Sequence, residues 1–426
     1  MVTKPHRRSR LRDLLRRLGP GLITGAADDD PSGIATYSQA GARFGYSLLW
    51  TMVFTLPLMA AIQVISARIG YVTRNGLAAN IKATYPRWVL LAIVGMLVGA
   101  NTLNIAADLA AMAEALRLLF GGSAHVYAIT FGLLTVLLQV FLPYRSYVRW
   151  LKWLTLALLA YVVLVFTLDL NLAEVLRGAL ALELPPGAKA HDAILMIVAL
   201  FGTTISPYLF FWQAGLEKEE ADSGRTPTAA RVRQHLRGIK IDTIIGMTFS
   251  NLVAFFIILS TAATLHRAGI TNIETSAQAA EALRPLAGDL TFMLFGLGII
   301  GTGMLAVPVL AGSAAYAVAE AAGWPGSLGL VLTRSSDGAR GFYGLIAAAT
   351  FGGVMLCFSP FDPVQELFWA AVLNGVIAVP IMAVMMLLAT NSRVMRGHAI
   401  GRRLRVLGWA ATAAMAITVI ALFATL

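Results

Sequence analysis

Three consecutive carboxylates, Asp28, Asp29 and Asp30, stand inside the first hydrophobic run, and Pro31-Ser32-Gly33 follows at once. An acid inside a bilayer is expensive, so intramembrane acids face a bundle interior, a partner or an ion path. Proline has no amide hydrogen and pushes the preceding residue out of the helical region, so the helix breaks at Asp30. Carboxylates beside freed backbone carbonyls are the makings of a cation site. A second interruption, Thr203-Thr204-Ile205-Ser206-Pro207-Tyr208, lies in the sixth apolar run and adds hydroxyls. Between them, Asn101, Asn104 and Asp108 follow an i, i+3, i+7 stripe on one helix face. That stripe reads either as part of an ion or proton path or as interhelical hydrogen bonding that holds a bundle together.

The composition says where these residues sit. The 426 residues are 58% hydrophobic and 13% charged, with a mean hydropathy of +0.74. Soluble domains are about 45–50% apolar and about 25% charged, so the chain is an all-α polytopic membrane protein whose first partner is the lipid bilayer. A net charge of +11 could point to nucleic acid. The basic residues instead crowd into tail residues 1–18 and alternate loops, a footprint of membrane topology. No nucleic-acid partner is expected. One cysteine, Cys357, excludes an internal disulfide and a cysteine-based metal cluster. The tail is not expected to be a cleavable signal, because the apolar run after it ends in the aspartate triplet.

Apolar runs of about 20 residues predict eleven spans, at 19–44, 47–71, 88–119, 125–144, 150–169, 192–216, 240–265, 288–321, 341–358, 365–390 and 405–425. Residues 271–287 read as a short external amphipathic piece. Loops on the side of the N-terminus carry most of the Lys and Arg, which places the N-terminus in the cytoplasm and the C-terminus outside. The two interrupted spans, 1 and 6, are five spans apart. Interrupted helices at matching places in two halves mark an inverted-repeat transporter; two unrelated proline kinks are the alternative. The expected organisation is therefore a basic tail at 1–18, a first repeat at 19–169, a second at 192–390, and a final span at 405–425.

At these residues the chain resembles the Nramp family of divalent metal transporters, which have the leucine-transporter fold. The likeness is carried by Asp30-Pro31-Ser32-Gly33, Ala35-Thr36, Gln39-Ala40-Gly41-Ala42 and Phe44-Gly45-Tyr46, with shorter matches at Asp108-Leu109-Ala110 and Ala311-Gly312. The resemblance implies that Asp30 and the carbonyl of Ala27 bind the metal. It departs where the family has an asparagine and this chain has Gly33, and where the family's alanine and Met-Pro-His become Thr203 and Ser206-Pro207-Tyr208. A family glutamine in span 10 aligns loosely with Asn374. Asp28 and Asp29 add acids that widen the negative field or hold water around the ion, or else line a solvated vestibule. In the family's proton path, a glutamate position is Ala111 here; Asp108 and Arg340 remain as candidate coupling residues.

Methionine sulfur favours softer transition metals, whereas carboxylate, carbonyl, hydroxyl and water suit Mg²⁺, Ca²⁺ and Mn²⁺. Mg²⁺ gives up water reluctantly, so a roomy oxygen-lined site favours Mg²⁺ first and Mn²⁺ second. All six histidines fall in tails, loops or helix ends, which favours uptake without proton coupling. No resident cofactor is expected, the divalent cation being the cargo, and the chain is expected to act as a monomer in the plasma membrane. Two other readings compete. One is a carrier of the same fold for an amino acid or other organic solute, whose carboxylate the three acids would repel. The other is an intramembrane enzyme pairing Asp30 with Asp108, which lacks any accompanying nucleophile elbow or zinc-protease motif. Asp242 and Asn251, nine residues apart, are expected to make structural contacts, and Glu217-Lys218-Glu219-Glu220 to form a solvated face.

Overall fold

The computed structural model describes residues 20–142, 157–185, 187–222, 229–324, 326, 337–358 and 362–425. The basic tail and Arg145, Arg149, Lys152, Arg225 and Arg334 lie outside the described residues. Among the described residues every regular element is helical.

The first span is two helices, α1 (Pro20–Asp28) and α2 (Pro31–Phe44). The sixth is also two, which we number in chain order after α3 (Leu49–Thr73), α4 (Leu77–Thr84), α5 (Arg87–Phe120), α6 (Ala124–Phe141), α7 (Leu159–Val165) and α8 (Leu172–Leu180). They are α9 (Ala190–Thr204) and α10 (Pro207–Asp222). Pro31 and Pro207 each open the second half of their span, where a missing amide costs nothing and the fixed φ suits a helix. The remaining long helices are α11 (Ala229–Thr261), α12 (Thr291–Ala322), α13 (Asp337–Leu356), α14 (Pro363–Thr390) and α15 (Arg402–Ala424).

Eight helical stretches of the described residues are long and apolar enough to cross a membrane, with Arg340–Leu356 as a shorter apolar helix. The stretch Pro31–Thr73 is continuous through a 3₁₀ turn, Gly45–Leu48, and contains both α2 and α3. Several boundaries differ from expectation. The helix that carries the seventh apolar run begins at Ala229, ahead of the run's start at 240, because the charged stretch before it continues the same helix. Of the fifth, 150–169, only 157–169 is described, and its regular α-helix is Leu159–Val165. The helices α4 and α8 were not anticipated. Within 271–287 lie two short helices, Ser276–Ala280 and Arg284–Ala287, joined by a 3₁₀ turn and continuous with the apolar stretch Ser276–Ala322.

Glycines set the helix spacing around the first span. A side chain at Gly21 would meet the Thr243 backbone at 2.6 Å, and one at Gly25 would strike the backbone of Gly246. Together with Asp242, whose carboxylate accepts the Gly21 amide at 2.7 Å, this fixes α1 directly against α11. Gly202 of α9 similarly abuts Ala371 and Gly375 of α14. Close backbone approach through small residues is the usual way that helices associate where lipid supplies no hydrophobic drive. Gly25→Leu is therefore expected to cost about 1–3 kcal/mol of stability, as overpacking of a tight contact does, read as a lower thermal unfolding midpoint in detergent. Gly99→Leu, at a position with open space around it, is the control that leaves the midpoint in place.

Candidate cation site at the paired helix breaks

Asp30 is extended, with φ −71° and ψ 169°, and caps α2. Its Oδ1 accepts the Gly33 amide at 2.7 Å and the Ser32 hydroxyl at 2.8 Å. A carboxylate at a helix N-terminus satisfies orphan amides and meets the positive end of the helix dipole. Its other oxygen, Oδ2, faces the sixth span, where the Tyr208 hydroxyl lies 3.2 Å away. The same hydroxyl is 3.1 Å from the Ala27 carbonyl, which α1 leaves free at its broken end. One hydroxyl carries one proton, so Tyr208 donates to either oxygen and holds both within reach of a single point. Asp30 is 2% exposed, Ala27 1% and Tyr208 fully buried.

Thr203 comes to the same place. A side chain at Gly33 would stand 3.0 Å from Thr203 Oγ1 and 3.2 Å from the Tyr37 ring. A side chain there would crowd these neighbours, because α2 and α9 meet. The Gly33 amide serves Asp30, so this position supplies no side-chain ligand where the family has asparagine. The Thr203 and Tyr37 side chains are both buried and interact with each other there. Ser206 sits at the second break, but its hydroxyl donates to the carbonyls of Gly202 and Thr203, both at 2.9 Å. It closes the end of α9 rather than touching Asp30.

Asp28 and Asp29 are 0% and 2% exposed, so they do not line a solvated vestibule. Ser250 of α11 reaches both, at 2.5 Å from Asp28 Oδ2 and 3.1 Å from Asp29 Oδ1. Asp108 is fully buried, within electrostatic reach of Asp30, and faces the Ser32 amide. Asn374 forms a reciprocal amide pair with Asn104, at 3.1 and 3.2 Å, so its amide is committed to α5. Asn101 bonds the Leu310 carbonyl and Ser313 of α12. The upper part of the 101–108 stripe is thus interhelical glue, and only Asp108 points its polar atoms at the break. Arg340 is exposed at the start of α13 and is not part of this cluster. Among the described residues no three His, Cys, Asp or Glu side chains converge on one point. A cation here would rest on carboxylate, carbonyl, hydroxyl and water oxygens together.

Asp242 makes a structural contact, as expected, and it marks a face on which the sequence reading missed two residues. Asp242, Gly246 and Ser250 recur every four residues, one face of α11, and meet Gly21, Gly25 and Asp28 in turn. At one end of the bundle, Glu217 is 1% exposed and bonded to His235 at 3.3 Å. Lys218 pairs with Glu320 at 3.2 Å, and Tyr316 donates to Glu219 at 2.5 Å. The segment 217–220 is therefore a packed junction, not a solvated face. Glu320 also accepts the Gly76 and Ala79 amides, at 3.0 and 3.2 Å, and so caps α4.

Two broken helices facing each other within a helical bundle define the class: an integral membrane protein of the leucine-transporter fold. A family profile described as natural resistance-associated macrophage protein-like matches residues 21–425, and the chain belongs to that family, Nramp. It is 31% identical over 299 residues to a divalent metal cation transporter, MntH, of Aeromonas hydrophila, covering 68% of this chain and 70% of that protein. A second MntH, from Yersinia pestis, is 31% identical over 298 residues, 68% of this chain and 69% of that protein. Among solved structures, the Eremococcus coleocola manganese transporter superposes with a TM-score of 0.75 at 16% identity, covering 98% of this chain and 88% of that one. Mhp1, a nucleobase-cation-symport-1 family transporter, superposes at 0.60 with 13% identity, covering 96% and 92%. At such identities these two likenesses concern the fold.

Removing the bridging hydroxyl tests how the site is held. Tyr208→Phe is expected to destabilise the ion-free protein by about 1.5–3 kcal/mol, the range for a hydrogen bond to a charged group, read from the unfolding midpoint in detergent. An unchanged midpoint would mean that the hydroxyl does not tie the two breaks together.

Proposed function

We propose that the chain is a secondary-type transporter or facilitator that imports a hard divalent metal ion by alternating access, Mg²⁺ first and Mn²⁺ second. The observation that carries this reading is the convergence of the Asp30 carboxylate and the Ala27 carbonyl on one point. The Tyr208 hydroxyl stands at that point, 3.1 Å from the carbonyl and 3.2 Å from the carboxylate. Thr203 and Tyr208 add hydroxyl oxygens, Ser206 stands at the second break, and no sulfur or imidazole is among these donors. Such an all-oxygen set suits hard ions, and Mg²⁺ in particular retains waters for which small side chains leave room. The MntH relatives, described as divalent metal cation transporters, support the substrate class. The Eremococcus coleocola structure, described as a manganese transporter, supports the second ion.

Uptake in this reading is driven by the membrane potential, which supplies about 4.6 kcal/mol per 100 mV for a divalent ion. The family's histidine position in the sixth span is Tyr208 and its glutamate position in the third span is Ala111, so the proton path implied by the family resemblance lacks both groups here. The chain works as a monomer in the plasma membrane, with its N-terminus cytoplasmic and its C-terminus external. Its two repeats take residues 19–169 and 192–390. An organic substrate bearing a carboxylate would meet Asp28, Asp29 and Asp30, which disfavours the amino-acid alternative.

In proteoliposomes, Mg²⁺ is expected to enter or to compete with Mn²⁺, with no accompanying acidification of the lumen. Mn²⁺ entry that Mg²⁺ neither shares nor inhibits would overturn the ion order, and lumen acidification in step with entry would overturn uncoupled transport. Asp30→Ala is expected to abolish uptake. Ser206→Met, whose longer side chain brings sulfur to the second break, is expected to raise Cd²⁺ or Mn²⁺ affinity relative to Mg²⁺ in calorimetry; unchanged affinities would place Ser206 away from the ion.

A further inference from the structure

A cavity of about 330 Å³ lies where the end of α3, Ala221 of α10, Val232 of α11 and the connection between α14 and α15 come together. That size falls within the about 300–1,000 Å³ of ligand pockets. Its polar lining is Tyr71, Arg74, Arg396 and His398, with no carboxylate. Glu217 and Glu220 stand within electrostatic reach of Tyr71 but do not line the cavity, and Glu217 is bonded to His235. Among the described residues neither arginine forms an ion pair. Arg68, earlier on α3, adds a third guanidinium beside the lining. It donates to the His398 carbonyl at 3.3 Å, and its Nε is buried without a partner. Independently, Arg74 and Arg396 have φ of 54° and 46°, and among the described residues they are the two non-glycine residues with positive φ. The left-handed region is unfavourable for a residue with a Cβ, and strain of this kind gathers at ligand clamps. Membrane topology accounts for basic residues at this end of the bundle. It does not account for their convergence on one concavity, both in strained conformations.

The connection that supplies Arg396 and His398 leads into α15, where Arg402, Arg403 and Arg405 come first. Trp409 follows, 38% exposed, and then Ile417 and Ile420, each 67% exposed. Basic residues, then tryptophan, then bare aliphatic side chains is the order in which a helix passes from water through the interface into lipid. The cavity therefore stands at the level of the headgroups. We propose that it binds an anionic phospholipid, whose phosphate lies between Arg74 and Arg396 and whose acyl chains follow the exposed face of α15. Guanidinium groups take a phosphate through paired N–H donors, and basic pockets between spans suit anionic headgroups. Tyr71, which lines the cavity, stacks on His235, so the bound headgroup also braces the junction around Glu217. The site is separate from Asp30 and does not depend on the transported ion.

The probe is phosphatidylglycerol, added to the purified, delipidated full chain in detergent, with phosphatidylcholine and soluble glycerol 3-phosphate as comparisons. Binding is read from the thermal unfolding midpoint and from lipid retained in native mass spectrometry. Phosphatidylglycerol is expected to raise the midpoint and to stay bound, and the other two to do neither. The Arg74→Gln/Arg396→Gln double variant is expected to bind it about thirtyfold more weakly, each basic group near the headgroup counting for about a factor of five. Arg233→Gln/Arg237→Gln removes the same charge from exposed positions of α11 outside the lining, and is expected to leave the affinity in place. An equal response to phosphatidylglycerol and phosphatidylcholine, or an equal loss in the two double variants, overturns the proposal. A response to glycerol 3-phosphate that matches phosphatidylglycerol overturns the lipid as occupant. Arg396→Gln alone, at an exposed position in a connection, guards against a misfolded double variant: it is expected to weaken binding about fivefold, and an unaltered affinity there overturns the proposal as well.

Discussion

A helix cut inside a membrane exposes carbonyls and amides that water cannot reach, and each must find a partner within the protein. In this chain the amides after the cut in the first span are answered by Asp30, which turns one oxygen back onto Gly33 and Ser32. That bond fixes the direction of the other oxygen, which points across to the sixth span. The carbonyl of Ala27 is left on the same side, and the Tyr208 hydroxyl spans the two. The break is stable because of the acid, and the acid is placed because of the break.

The surrounding helices follow from the need to keep this arrangement dry and fixed. The glycines of α1 let it lie directly on α11, bringing Ser250 under Asp28 and Asp29. Gly202 does the same between α9 and α14. The amides of Asn101 and Asn104 tie α5 to α12 and α14, which holds Asp108 at the edge of the break. At the far end, His235 stacks on Tyr71 with ring centroids 4.0 Å apart and bonds Glu217. Together with the Lys218–Glu320 pair, this locks α3, α10, α11 and α12 into one junction.

Much of this was legible in the sequence, and for physical reasons. Span positions follow from hydropathy, which is a strong signal because lipid tolerates few polar residues. The two breaks follow from Pro31 and Pro207, whose effect on the backbone is local. What the sequence hid is pairing across helices. Asn374 reads as a ligand by its position, but its partner Asn104 is 270 residues away. Nor does the sequence show that the Ser206 hydroxyl gives its proton to carbonyls of its own helix. Glu217 reads as surface because it sits in a charged run, and only the fold brings His235 over it. Ser250 carries no charge and drew no notice, although its spacing from Asp242 placed both on the face that meets α1.

The account turns on one oxygen-lined point between the two breaks, and anomalous scattering from Mn²⁺-soaked crystals locates it directly. The account predicts an anomalous peak bounded by the Asp30 carboxylate and the Ala27 carbonyl, with the Tyr208 hydroxyl displaced from its present position. Strong peaks confined to other parts of the molecule, with Tyr208 still bonded to both oxygens, would contradict it.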